Sequence, residues 1–425
     1  MKPFVLRLIC LVPIFLQLLV HNAFADELKL QELIEESLKN GHDVLLAETK
    51  WKTSTFKIPQ AKSLPDPMFM FGYQNEGFSN ITYGKSGDAE FMFSASQMFP
   101  FPGKRPLKGE MALKDAESLS ESYQAVRLKT VAQVKELYYE LFLTHRGIDL
   151  IDGKSALFSR IEDAALARFS SGTAPQQEVL MAQMEKYMLI EKREMLDRKI
   201  QSLEAMLNAA IGRNVESPLG KPAEPAATTY RHSLDELLKL AYTNSPEIRS
   251  RDKMVELAKT KVLMAEKEYY PDIALTGSFF KRPGEFEDMW SLTTTINIPL
   301  YYRTKQRQAV SEAKSSVSES VHELDVTKLM LSSNIRDNYV IAGSSEKLMK
   351  LYRDVLIPKT YQDFELALSG YATGRIEAIT VINRLKALLD FELSYWEQFI
   401  SREKAIARLD AITGITYSGS EGRAR

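Results

Sequence analysis

Cysteine is nearly absent from this 425-residue chain; the one cysteine is Cys10. It sits in an N-terminal stretch that reads as a secretory leader, residues 1–25. Lys2 and Arg7 give a positive start, Leu8 to Val20 is apolar, and Ala23-Phe24-Ala25 is a small-residue cleavage site. That apolar run falls short of the roughly twenty residues a membrane-spanning helix needs, and Pro13 interrupts it. Leu8-Ile9-Cys10 also lacks the small residue expected before a lipidated cysteine. The processed chain is expected to start near Asp26 with no thiol, which excludes disulfides and thiolate metal sites.

A strong charge of either sign is lacking as well. Without Lys2 and Arg7 the 55 basic residues become 53 against 56 acidic, so no field suited to nucleic acid follows. Downstream of the leader no apolar run reaches eighteen residues, so no transmembrane helix is expected. Histidine is scarce: apart from His21 in the leader, His42, His145, His232 and His322 lie far apart without metal-ligand spacing and read as solvated surface residues. No metal site and no cofactor is expected. Phe101-Pro102-Gly103-Lys104 is no phosphate loop, because Met98 stands where the first glycine of G-x-x-x-x-G-K belongs. No nucleophile–base motif is present, so the chain does not read as an enzyme.

What the sequence has is itself, twice. "LQELIEESLKNGHDVL" from Leu30 matches "LDELLKLAYTNSPEIR" from Leu234, an offset of 204. Pro65-Asp66 matches Pro271-Asp272 at 206, and Phe99-Pro100-Phe101 matches Ile298-Pro299-Leu300 at 199. "RFSSGTAPQQEVL" around Gly172 matches "GYATGRIEAITVI" around Gly374 at 202, and Leu207 to Arg213 matches Leu409 to Ile415 at the same offset. The period is far longer than a solenoid's, so this is a duplicated half-protein. The segments are a leader (1–25), a first repeat (26–213), a crossover linker (214–232), a second repeat (233–415) and a C-terminal tail (416–425). Three prolines and no helical period in 217–232 make the linker extended.

Each half predicts a helix, two strands, a long helix, a tight turn and a returning helix. Ser233 to Glu236 is a capping box, and Ser245-Pro246 an N-cap followed by proline at the first helical position. No proline interrupts the 65 residues from Pro106 to Ser170, a helix of about 100 Å. The partner segment, about 306–368, holds Pro358, where a kink is expected. Alanine, glutamate, lysine and leucine with apolar positions three and four apart give both long segments coiled-coil composition.

Strands are expected at about 68–78, 90–99, 272–281 and 289–299. In the last, Trp290, Leu292, Thr294, Ile296 and Ile298 share one face and Ser291, Thr293, Thr295 and Asn297 the other. Ile273, Leu275 and Phe279 oppose Ala274, Thr276 and Ser278; Phe69, Phe71 and Tyr73 oppose Met70, Gly72 and Gln74; Phe91, Phe93 and Phe99 oppose Met92, Ser94 and Ser96. Strands of about ten residues, apolar on one face and small or polar on the other, suit a transmembrane β-barrel. A soluble sandwich would also alternate, but four strands flanked by such helices have no second sheet to pack upon. Lipid tolerates no open edge, so four strands must close by assembly, and three chains give twelve. Pro100, Pro102, Gly103 and, in the second half, Pro299 mark where strand becomes helix, with Lys104 and Arg105 expected at the polar interface. Met70, Met92 and Met98 fall on the lumenal faces; flexible filler accounts for them better than a thioether site for soft Cu(I).

The leader, the duplication, "LPDPMFMFGYQNEG", "SQMFPFPGKR" and the glycine-tipped hairpins together resemble TolC-type outer-membrane efflux proteins, over essentially the whole processed chain. The resemblance implies an α+β membrane protein: a homotrimer with a twelve-strand barrel in outer-membrane lipid, continued by a long periplasmic α-helical barrel. It implies a Gram-negative outer-membrane location, with no nucleic acid involved. It further implies an exit duct for a tripartite efflux or type I secretion system, joined to an inner-membrane transporter of RND or ABC type through a periplasmic adaptor (membrane fusion) protein. The hairpin tips, Gly172-Thr173 and Gly374-Arg375, would meet the adaptor, and Thr173 to Gln176 offers a capping box. Glu178, six after the first tip glycine, and Tyr371, three before the second, match the family's latch positions. Where well-known members place acids six and nine after the second glycine, this chain has Thr380 and Asn383, so a strongly cation-selective ring is not expected. A structural periplasmic coiled-coil protein without a channel is the alternative; it would leave the amphipathic strands idle.

Overall fold

The computed structural model describes residues 27–414; the expected leader and C-terminal tail lie outside them. Two runs of elements have the same order, the second with its long helix divided in two. The first is α1 (Leu30–Asn40), α2 (His42–Lys62), β1 (Met68–Gln74), β2 (Glu90–Phe99), α3 (Lys104–Ser170) and α4 (Gln176–Ile211). The second is α5 (Leu234–Asn244), α6 (Pro246–Lys267), β3 (Asp272–Lys281), β4 (Met289–Asn297), α7 (Gln306–Leu351), α8 (Ile357–Ala372) and α9 (Ala378–Thr413). The strands form one antiparallel sheet in the order β1-β2-β3-β4.

With 67 residues, α3 is about 100 Å long and serves as the axis of the chain. Its first half packs on α2 and α6, its second on α4 and α9. The returning helix α4 stops where α1 meets α2. There Gly212 has φ +81°, and a Cβ on it would come within 2.4 Å of the Asn40 carbonyl oxygen, so only glycine fits. Two apolar cores lie along this axis. One, near the hairpin turns, includes Phe158, Ile161, Phe364, Tyr371, Ile382 and Leu385. The other includes Tyr138, Leu141, Leu207, Ile211 and Ile400. Tyr138 ties the crossover to the second core by donating to the carbonyls of Ala223 (2.8 Å) and Leu28 (3.0 Å).

The capping box at Ser233 forms as expected: Glu236 N–H donates to the serine hydroxyl at 3.3 Å, and Ser233 N–H to the Glu236 carboxylate at 2.9 Å. Ser245 occupies the N-cap before Pro246, but its side chain makes no capping bond. Pro358 lies just past a π-helical turn, Tyr352–Leu356, that separates α7 from α8. A proline lacks the N–H donor and crowds the carbonyl four residues back, and the wider turn absorbs that mismatch.

Two strands are shorter than expected. β1 stops at Gln74 rather than 78, because the Asn75 side chain closes a loop on itself. Its oxygen accepts from Thr82 N–H at 2.8 Å, and its amide donates to Asn80 O at 2.9 Å. β4 stops at Asn297 rather than 299, since Pro299 has no N–H and Leu300 N–H turns back to Ile298 O at 2.9 Å. Two side chains also differ from expectation. Lys104 is buried instead of interfacial: its ammonium donates to Asp272 (2.9 Å), Tyr270 O (3.1 Å) and Glu268 (3.3 Å). His145 is half-buried rather than solvated, and burial lowers its pKa.

Candidate functional site

Two places carry the residues singled out by the sequence, the hairpin turns at one end of α3 and the sheet at the other. At the turns the chain reverses through a Schellman motif, twice. Gly172 (φ +73°) and Gly374 (φ +75°) take the left-handed conformation with open space around them. Thr173 N–H donates to Arg168 O and Arg375 N–H to Gly370 O, both at 2.9 Å. Gly172, Thr173, Gly374 and Arg375 are all exposed. The capping box expected at Thr173 does not form. α4 starts at Gln176 with Pro175 as N-cap, and the Thr173 hydroxyl bonds backwards to Arg168 O at 3.0 Å. Proline disfavours helical geometry in the residue before it, which moves the helix start past Thr173.

Glu178 and Tyr371 meet. The Tyr371 hydroxyl donates to Glu178 Oε2 at 3.0 Å, linking the first turn of α4 to the last turn of α8. Tyr371 is fully buried and belongs to the core near the hairpin turns, so it both packs and bonds. Burial above all, then the Glu178 carboxylate, pushes its hydroxyl up to about 12, and the phenol remains a donor across the physiological range. Arg168 completes the group. Its guanidinium lies 4.6 Å over the Tyr371 ring and 3.6 Å from Glu178. Sequence reading missed Arg168, although its position in the last turn before Gly172 is a favoured one for a cation. Thr380 is half-buried and Asn383 exposed; neither joins this cluster.

In the sheet, every pairing keeps the apolar sets together. Phe71 lies opposite Phe93, Phe93 opposite Phe279, and Phe279 opposite Trp290. Phe69, Phe71, Phe93, Ile273, Leu275, Phe279, Trp290, Leu292 and Ile296 thus share one face and all are exposed, Trp290 at 79% and Leu292 at 69%. The opposite face carries Gly72, Ser94, Ser96, Thr276, Ser278, Thr293 and Thr295, with Met70, Met92 and Met98. Below the sheet, Gly103 (φ +99°) lets the chain turn after Pro100-Phe101-Pro102, and Lys104 N–H closes the turn on Phe101 O at 3.1 Å. At Pro299 the change is wider, with no glycine, running through Tyr301 to Lys305. Among the described residues no group of three His, Cys, Asp or Glu could hold a metal ion, and no helix is long and apolar enough to cross a membrane.

The chain is thus a four-stranded sheet with one exposed apolar face, set on long helices that turn at two glycine-tipped hairpins. Residues 237–414 match the outer membrane efflux protein family. The cobalt-zinc-cadmium resistance protein CzcC of Cupriavidus metallidurans is 21% identical over 324 residues, 73% of this chain and 74% of that protein. VceC, an outer membrane protein from Vibrio cholerae, superposes with a TM-score of 0.77 at 16% identity, over 91% of this chain and 96% of that one. The CmeC outer membrane channel of Campylobacter jejuni gives 0.77 at 14% identity, over 91% and 85%. Over residues 237–414 the chain is thus similar in sequence to outer membrane efflux proteins, and its fold is similar to that of the solved outer-membrane proteins above.

Proposed function

We propose that three copies of this chain form the outer-membrane exit duct of a tripartite efflux system. The sheets join into a twelve-strand barrel with the apolar face towards lipid and the small, polar face towards a water-filled lumen. The helices continue the barrel into the periplasm, and the hairpin turns receive a periplasmic adaptor and, through it, an inner-membrane transporter of RND or ABC type. The duct conducts passively. The observation that carries this reading is the register. Four separate alternations could have met out of phase, since a one-residue slip at any pairing would send that strand's apolar set to the wrong side. All three pairings instead align them, leaving large apolar side chains where water would otherwise be.

The sequence of Tyr371, Glu178 and Arg168 around the turns supports a resting latch, an element that fixes the approach of the two hairpins to each other and is weak enough for a docking partner to break. Similarity to a cobalt-zinc-cadmium resistance protein makes divalent metal cations the first cargo to test. The reading is checked by fractionation and mild-detergent electrophoresis. A trimer in the outer-membrane fraction, resistant to carbonate extraction, is the expected result; a folded monomer in the soluble periplasmic fraction would overturn it and favour a coiled-coil spacer.

A further inference from the structure

We infer that β4 of one subunit pairs with β1 of the next in a single register, with Thr295 opposite the partner subunit's Met70 and Arg303 bonded to the partner subunit's Asp66. This rests on the barrel reading above and adds to it the residues that make the seam.

The two hairpins of the sheet are the same object at residue level. Met70 faces Ser94 in the first, and Thr276 faces Thr293 in the second. Met70 to Thr276 is a step of 206 and Ser94 to Thr293 a step of 199, the same two offsets that relate Pro65-Asp66 to Pro271-Asp272 and Phe99 to Ile298. The junction between the hairpins, β2 with β3, is therefore a template for the junction between subunits, β4 with β1. Within the chain Ser96 faces Thr276, and their hydroxyls are bonded at 2.9 Å. Carrying Ser96 forward by 199 and Thr276 back by 206 places Thr295 against the partner subunit's Met70. The same operation on Gln97 and Leu275 places Ile296 against the partner subunit's Phe69. Both transferred pairs keep like faces together, polar-side with polar-side and apolar with apolar, as the offsets require once each carries a strand's polar face onto its counterpart's.

The ion pair beneath the strands transfers in the same way. Lys104 to Asp272, at 2.9 Å, locks the start of α3 to the start of β3. Their counterparts are Arg303, basic like Lys104, and Asp66, acidic like Asp272. Within the subunit both are exposed; Arg303 meets the Tyr302 hydroxyl at 3.3 Å, and Asp66 has no cationic partner among the described residues.

The helices leave the same seam open. α3 packs on α6 and α9, members of the following repeat; the repeat that should follow α7 and α8 is the neighbouring subunit's first, containing α2 and α4. α4 and α9 are both 36 residues long and correspond at an offset of 202. Ile382 and Leu389 of α9 are 0% and 3% exposed, whereas their counterparts on α4, Leu180 and Tyr187, are 53% and 71% exposed. α8 exposes Tyr361 and Leu366, and α2 exposes Leu46 and Phe56. A second copy covers all of these faces at once.

Cysteine pairs read the register directly, since Cys10 is the only native thiol. Opposed residues on antiparallel strands have Cα atoms about 4.5–5.5 Å apart, within reach of a disulfide. Outer membranes bearing Met70→Cys with Thr295→Cys should give covalently linked trimers on mild oxidation. Met70→Cys with Ser291→Cys, four residues or about 13 Å out of register, should not. Asp66→Arg and Arg303→Asp should each lower the temperature at which the trimer dissociates in detergent, and together restore most of it. Linkage through Ser291, or none through Thr295 in a protein that still runs as a trimer, would overturn the register while leaving the barrel standing. A monomer confined to the soluble fraction would overturn both.

Discussion

The Tyr371 hydroxyl and the Glu178 carboxylate lie 3.0 Å apart across the two hairpins of the chain. The bond joins residues 193 positions apart and is backed by Arg168 on the ring face. A hydrogen bond to a charged group contributes about 1.5–3 kcal/mol, and three subunits would repeat it around the mouth. Replacing Glu178 with alanine and Tyr371 with phenylalanine should raise single-channel conductance in planar bilayers and sensitise cells to large antibiotics, with the trimer intact. Phenylalanine keeps the buried ring, so packing is preserved. Unchanged conductance would remove the latch assignment.

The absence of acids at Thr380 and Asn383 has its own consequence. Divalent cations should block this channel little, and Thr380→Asp with Asn383→Asp should make the current sensitive to them. The comparison is one of conductance with and without added divalent ion. Equal block in both proteins would place the constriction elsewhere.

The sequence made the strands and their faces legible because a period of two survives in single residues: Leu292 against Thr293 needs no tertiary knowledge. The glycine tips were equally plain, since two left-handed turns leave glycine little competition. What was not legible depended on distant partners. Arg168 gains its role only when α8 brings Tyr371 over it. Lys104 looks like an interfacial cation until Glu268 and Asp272, more than 160 residues away, surround it. The Thr173 capping box failed locally, through Pro175, and β1 ended early through a single side chain, Asn75.

Asp410 gives the helical region a pH dependence. Burial above all, with the Glu403 carboxylate adding to it and Lys135 at 3.7 Å opposing, pushes its carboxyl up to about 7. The folded chain then holds a proton that the unfolded chain has released, so the stability associated with this group is full at low pH and falls as pH rises through about 7. Asp410→Asn should raise the unfolding temperature at about pH 8 and change it little near pH 4. An equal shift at both would mean that titration of Asp410 is not the cause.

Lys104 makes a second stability prediction. Lys104 is buried but Asp272 and Glu268 stay partly exposed, so removing the ammonium costs less than the about 3–5 kcal/mol of a fully buried pair while still unlocking the start of α3 from β3. Lys104→Met should therefore lower the trimer's dissociation temperature and open the 100–106 turn to protease. Insensitivity in both assays would show that the clamp contributes little.

The central claim is that the sheet's two faces meet lipid and water, and arginine substitution tests it most directly. Leu292→Arg and Ile296→Arg place a charge on the apolar face, at a cost of about 2–4 kcal/mol near mid-bilayer. Thr293→Arg and Thr295→Arg place the same charge on the opposite face. The measurement is the yield of outer-membrane trimer for the four variants side by side. The account predicts that the first two fail to assemble and the second two assemble as the parent does; equal yields from both faces would contradict it.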